Sequence, residues 1–144
     1  MRILLAISCM CLILSCTKES TSTLSPHEVY ANYNSLQKNG ITFEEMTSYY
    51  TSKAKQRMDA YISENMIQWN KTREEVIEIQ LSFTQSLSKC KEITLLDEKI
   101  NGEIASLTYA QTDICGNDSG RDERQKIELI YKNGWKIERI NFDF

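Results

Sequence analysis

The chain has one histidine, His27, and no Cys-x-x-Cys motif. A single histidine argues against a Cys–His nucleophile and against a zinc site, and the missing motif removes a thioredoxin-type redox role. Lys and Arg form no stripe, and the formal net charge is −3. Phosphate backbones require clustered basic residues, so nucleic acid is excluded as a partner. No apolar run approaches the ~20 residues that span a bilayer as a helix. No internal repeat is visible beyond two hairpin signals.

What is present begins at the N-terminus. Arg2 is followed by a mostly apolar run from Ile3 to Leu14, interrupted by Ser8, Cys9 and Cys11. Ile13-Leu14-Ser15-Cys16 closes that run. Positive, then apolar, then small is the order of a secretory signal, and a cysteine at its end resembles a bacterial lipobox. The resemblance implies cleavage before Cys16 and lipid on Cys16, several acyl chains together anchoring where one is marginal. It places the protein in the bacterial cell envelope, expected at the outer membrane. The chain then divides into a signal peptide (1–15), a polar tether (16–24) and one α+β domain (25–144). Eight extended tether residues reach at most about 30 Å, which keeps the domain near the membrane.

Cleavage also sorts the cysteines. Cys9 and Cys11 leave with the leader, and Cys16 carries lipid. Cys90 and Cys115 remain in an oxidising compartment, where a pair is expected to form a disulfide. The alternative is two reduced thiols in or beside the core.

Three helix starts share one signature. Ser25-Pro26-His27-Glu28, Thr42-Phe43-Glu44-Glu45 and Thr72-Arg73-Glu74-Glu75 each place a hydroxyl three residues before a glutamate. That is a capping box, in which side chains satisfy the free amides of a helix start. Helix 1 is expected to end near Asn39 with Gly40 as its stop. Helix 2 carries Met46, Tyr49, Tyr50, Ala54, Met58 and Tyr61 at spacings of three and four. Met66, Ile67 and Trp69 are expected to dock a connector on the core. Helix 3 carries Val76, Ile79, Phe83 and Leu87 on one face, with Ile77 and Leu81 beside it.

The last third changes to a period of two. Ile93–Ile100, Glu103–Ile114, Gln125–Lys132 and Trp135–Phe142 are rich in β-branched and aromatic residues. Asn101-Gly102 and Asn133-Gly134 stand between them in pairs, and Asn-Gly is the favoured two-residue hairpin turn. With Asn101-Gly102 as the turn, Ile100 faces Glu103 and Cys90 faces Asp113. A bulge, or the bend where helix 3 enters the strand, would then bring Cys115 into reach. The expected fold is α+β, with three N-terminal helices packed on a curved four-stranded antiparallel sheet.

The order of elements resembles the nuclear-transport-factor-2-like superfamily, which includes ketosteroid isomerases and SnoaL-like cyclases. Ser25–Tyr30 is similar to its opening helix, Glu98–Leu107 to its first hairpin, and Ile130–Ile137 to its closing hairpin. A short strand between helices 2 and 3, common there, has no counterpart in this sequence. The resemblance implies a cone with an internal pocket, which Tyr33, Tyr49, Tyr50, Phe83, Tyr109 and Tyr131 would line. A non-enzymatic module binding a small apolar ligand or an envelope protein is the first expectation. An isomerase or cyclase using a Tyr and an acid is the second. No residue is assigned as catalytic, and neither a metal nor a cofactor is expected. Tyrosines at helical spacing are more often core than catalytic. Asp59 is read as solvated, His27 as an exposed first-turn residue, and Asp118, Asp122 and Glu123 as a polar loop. A homodimer through the sheet completes the expectations.

Overall fold

The computed structural model describes residues 24–116 and 123–143. Cys16, the leader, most of the tether, Asp118 and Asp122 lie outside the described residues. Helices α1 (Pro26–Asn39), α2 (Phe43–Ser48), α3 (Ser52–Trp69) and α4 (Arg73–Lys89) precede strands β1 (Lys91–Asn101), β2 (Ile104–Asp113), β3 (Glu123–Tyr131) and β4 (Trp135–Asp143). The strands form one antiparallel sheet in the order β1-β2-β3-β4, which does not close. The helices pack on one of its faces.

All three capping boxes form. The hydroxyls of Ser25, Thr42 and Thr72 accept from the amides of Glu28, Glu45 and Glu75, whose carboxylates accept the cap amides in return. These bonds also hold the three glutamates below the usual carboxylate range. Gly40 ends α1 at φ 92°, a conformation that costs glycine little.

The single second helix expected from the sequence is two. Tyr49–Thr51 leaves the helical path and pairs with β4. The Thr51 amide donates to the Ile137 carbonyl at 3.0 Å, and the Ile137 amide donates to the Tyr49 carbonyl at 2.8 Å. This one-residue parallel bridge, Tyr50 with Ile137, is a short extended segment between α2 and α3. Thr51 then caps α3 through the Ala54 amide. A second correction follows: α3 continues to Trp69, so no separate connector exists. Ile67 is 85% exposed and Trp69 is exposed as well, away from the core.

Both hairpins form with shifted turns. Ile100 pairs with Ala105, which makes Gly102-Glu103 the first turn. Only Gly102 of that pair has positive φ, as a turn of the II′ class requires. In the second hairpin Tyr131 pairs with Trp135 across Lys132-Asn133-Gly134. Leu96 is an extra residue in β1, between the pairs Leu95–Tyr109 and Asp97–Thr108. Beyond this bulge Lys91 faces Asp113, and Cys90 and Cys115 are joined by a disulfide with Cα atoms 5.1 Å apart. The bridge ties the end of α4 to the end of β2.

The core lies between α1 and the sheet. Val29, Tyr30 and Tyr33 from α1 meet Leu107, Tyr109, Ile127, Leu129 and Ile137. The inward strand residues alternate, as a half-buried sheet requires.

Candidate functional site

Val29, Tyr30 and Tyr33 give α1 a buried stripe, which sets two tyrosines over the sheet. Tyr109 rises from β2 and Tyr49 and Tyr50 enter from the α2–α3 break. The five rings form a chain with centroid separations of 5.1 Å (Tyr30–Tyr109), 6.0 Å (Tyr30–Tyr33), 5.5 Å (Tyr33–Tyr49) and 5.6 Å (Tyr33–Tyr50). Tyr33 and Tyr109 are each 1% exposed.

Four of the five phenols, those of Tyr30, Tyr33, Tyr50 and Tyr109, are bonded to one another, to amides or to His27. Tyr30 donates to Gln125 Oε1 at 2.5 Å. Tyr33 and Tyr50 share a bond of 2.7 Å, and Gln37 Nε2 donates to Tyr33 at 2.7 Å. His27 Nδ1 lies 2.8 Å from the Tyr109 hydroxyl, and the rings stack at 6.0 Å. His27 is therefore half-buried against a core tyrosine and not the exposed residue expected from the sequence. Burial pushes the Tyr109 phenol up to about 12, with the Glu98 charge adding to it. Burial also raises Tyr30, Tyr33 and Tyr50, so all four phenols are neutral in the folded protein at physiological pH.

Of the residues expected to line a pocket, Tyr33, Tyr49, Tyr50 and Tyr109 come together, and Tyr30 joins them. Tyr131 stands elsewhere, edge-on to Trp135 at 5.2 Å. Phe83 is 63% exposed on α4 and is not part of the cluster. Asp59 is solvent-exposed, as read, and pairs with Arg73 at 2.6 Å. Glu123 pairs with Lys91 at 2.6 Å.

Gln125 and Glu138 were not anticipated. Gln125 shares strand parity with Ile127 and Leu129, so alternation pointed inward. Glu138 has no such signal, because it is the extra residue of a bulge between the pairs Glu128–Arg139 and Leu129–Ile137. Freed from the ladder, its carboxylate accepts from Thr51 and from Arg57 Nη1, the latter at 2.9 Å. Arg57 Nη2 also donates to the Glu138 carbonyl.

Outside the core, a groove of about 500 Å³ runs between the α1–α2 connection and α4. Ile41, Phe43, Ile77 and Leu81 line it together with Glu74 and Glu78. Among the described residues, no three His, Cys, Asp or Glu side chains converge as a metal site, and no helix is long and apolar enough to cross a membrane.

No protein-family model matches the chain, and no curated protein or solved structure is significantly similar to it.

Proposed function

We propose that the protein is a lipid-anchored, non-enzymatic interaction module of the bacterial envelope. The observation that carries the non-enzymatic part is the state of the tyrosine cluster. Tyr30, Tyr33, Tyr50 and Tyr109 are bonded to Gln125, to Gln37, to His27 or to each other, and Tyr33 and Tyr109 are closed to solvent. A substrate needs a polar group free to meet it, and phenols engaged in this way have little capacity left. Binding then belongs to the outside. The outer sheet face suits contact because it is not uniformly charged: Ile104, Ser106, Thr108 and Ala110 stand among Lys126, Glu128 and Arg139.

The anchor rests on Ile13-Leu14-Ser15-Cys16. Cys16→Ala should move the protein out of the membrane fraction and change its electrophoretic mobility. Unchanged behaviour on both counts refutes the anchor. A pull-down from intact envelopes would then identify the partner, and a chain recovered alone at every cross-linker length refutes the heterologous form of the module.

The finer placement within the nuclear-transport-factor-2-like superfamily rests on the order of elements alone. The Tyr50–Ile137 bridge falls inside what the sequence reads as helix 2, and between α3 and α4, where the superfamily's short strand would stand, only residues 70–72 intervene. The isomerase or cyclase reading is kept alive by one contact, His27 to Tyr109 at 2.8 Å. If His27→Phe and Tyr109→Phe abolish a turnover found in an enolisation screen, the enzyme reading replaces the first.

A further inference from the structure

The groove between α4 and the α1–α2 connection is apolar along its length and acidic at one end. α4 supplies two neighbouring ridges of residues four apart. Ile77, Leu81 and Gln85 form the floor, and Glu74, Glu78 and Ser82 form an exposed lip. Ile41 and Phe43 make the opposite wall. From Glu74 to Gln85 the helix runs about 16 Å. Gln85 Nε2 donates to the Lys38 carbonyl at 3.5 Å and lies 3.0 Å from where a Cβ on Gly40 would stand, so wall and helix meet there. The floor therefore has one closed, uncharged end and one end edged by two carboxylates.

Those carboxylates are unmatched. Among the described residues, neither Glu74 nor Glu78 takes part in an ion pair. No Lys or Arg lines the groove. Arg73 stands at its edge, 5.8 Å from the centre of the Phe43 ring, but Asp59 meets its charge at 2.6 Å. Like charges four residues apart on a helix repel one another, and a cation between them relieves that repulsion. Size narrows the occupant further. About 500 Å³ is the volume of a small-molecule site, whereas a folded partner covers a far larger surface.

We propose that this groove binds a small amphiphilic cation, with its apolar tail along Ile77 and Leu81 and its ammonium or guanidinium head between Glu74 and Glu78. Burial of the tail supplies affinity, and the two carboxylates set its direction and reject anions. The groove belongs to the helix layer, on the side of the sheet away from its outer face. The assignment therefore rests on neither the anchor nor the sheet contact.

The test uses the full chain carrying Cys16→Ala, so that no detergent competes with the probe. Octylammonium, octanol and octanoate are titrated against it and followed by NMR. Octylammonium should bind tightest and shift the resonances of Phe43, Ile77 and Leu81. Octanol should bind about fivefold more weakly, the loss of two exposed charge contacts, and octanoate more weakly still. Glu74→Gln with Glu78→Gln should bring octylammonium down to the level of octanol. Glu64→Gln with Glu92→Gln makes the same charge change at exposed positions elsewhere and should leave binding intact. Ser82→Trp, on the exposed lip, should obstruct the floor and abolish the shifts without lowering the melting temperature. Equal affinity for octylammonium and octanol overturns the proposal, as does an equal loss in the Glu64 and Glu92 pair. Shifts confined to another surface overturn it too. So does a photo-cross-linker at Ser82 that captures an envelope protein or a second copy while octylammonium moves no groove resonance.

Discussion

Arg57 Nη1 stands 2.9 Å from Glu138 Oε1, and the carboxylate in that contact is 5% exposed. The contact joins α3 to β4, next to the point where Thr51 hydrogen-bonds Ile137. Burial alone would raise the Glu138 pKa, but the bonds from Thr51 and Arg57 and the charges of Arg57 and Lys53 outweigh it and lower it.

Removing Arg57 leaves a buried carboxylate with one partner fewer. Arg57→Ala should destabilise by ~1–3 kcal/mol, at the lower end because Arg57 is itself half in water. Glu138→Gln should cost less. The folded pKa lies below the unfolded one, so the contribution is complete above the ordinary carboxylate range and fades as pH falls through the folded value. The melting-temperature gap between wild type and Glu138→Gln should therefore narrow below about pH 4. A gap that stays constant across that range refutes the assignment.

The buried phenols predict an alkaline limit. Folded pKa values above the unfolded value of about 10 mean stability that is complete below it and lost as pH rises. Of seven tyrosines, Tyr30, Tyr33, Tyr50 and Tyr109 should ionise only with unfolding. Phenolate absorbance and circular dichroism should then share a cooperative step above pH ~10. Seven phenols titrating smoothly while the fold persists would contradict this.

Tyr33 hydrogen-bonds both Tyr50 and Gln37 and packs inside the core. Tyr33→Phe should cost ~1–2 kcal/mol, because it leaves both partners short of a bond while keeping the ring. Tyr33→Leu should cost more, because it also opens space in a close-packed site. Equal denaturation midpoints for the two variants would show that the ring's volume is immaterial.

The Cys90–Cys115 bridge closes a loop of 25 residues. In the chain-entropy model its loss costs roughly 3 kcal/mol. Cys90→Ser with Cys115→Ser should lower the urea midpoint correspondingly and leave the sheet's circular dichroism intact. Thiol counting without reductant should find neither cysteine reactive in wild type.

Local physics was legible in the sequence. Ser25, Thr42 and Thr72 cap their helices through bonds to residues three positions away, so no distant contact was needed to foresee them. The strands were legible because their inward residues alternate. The turn shift at Gly102-Glu103 moved the pairing by two positions and left every side chain on its face, so the pattern could not reveal it. The break at Tyr49–Thr51 was invisible for another reason. Met46, Tyr49, Tyr50 and Ala54 keep helical spacing through it, and its cause is the Ile137 backbone, 86 positions beyond Thr51.

The sequence alone determined the helix starts at Ser25, Thr42 and Thr72, the four strands and the α+β class, because each follows from local bonding or from periodicity. Tertiary structure decided where those elements face. It turned Phe83 outward despite its core-like spacing and stacked His27 on Tyr109. It also freed Glu138 from the ladder to meet Thr51 and Arg57. A helix stripe is buried only where another element reaches it, and a bulged residue points wherever its strand bends. Neither is set by spacing along one chain.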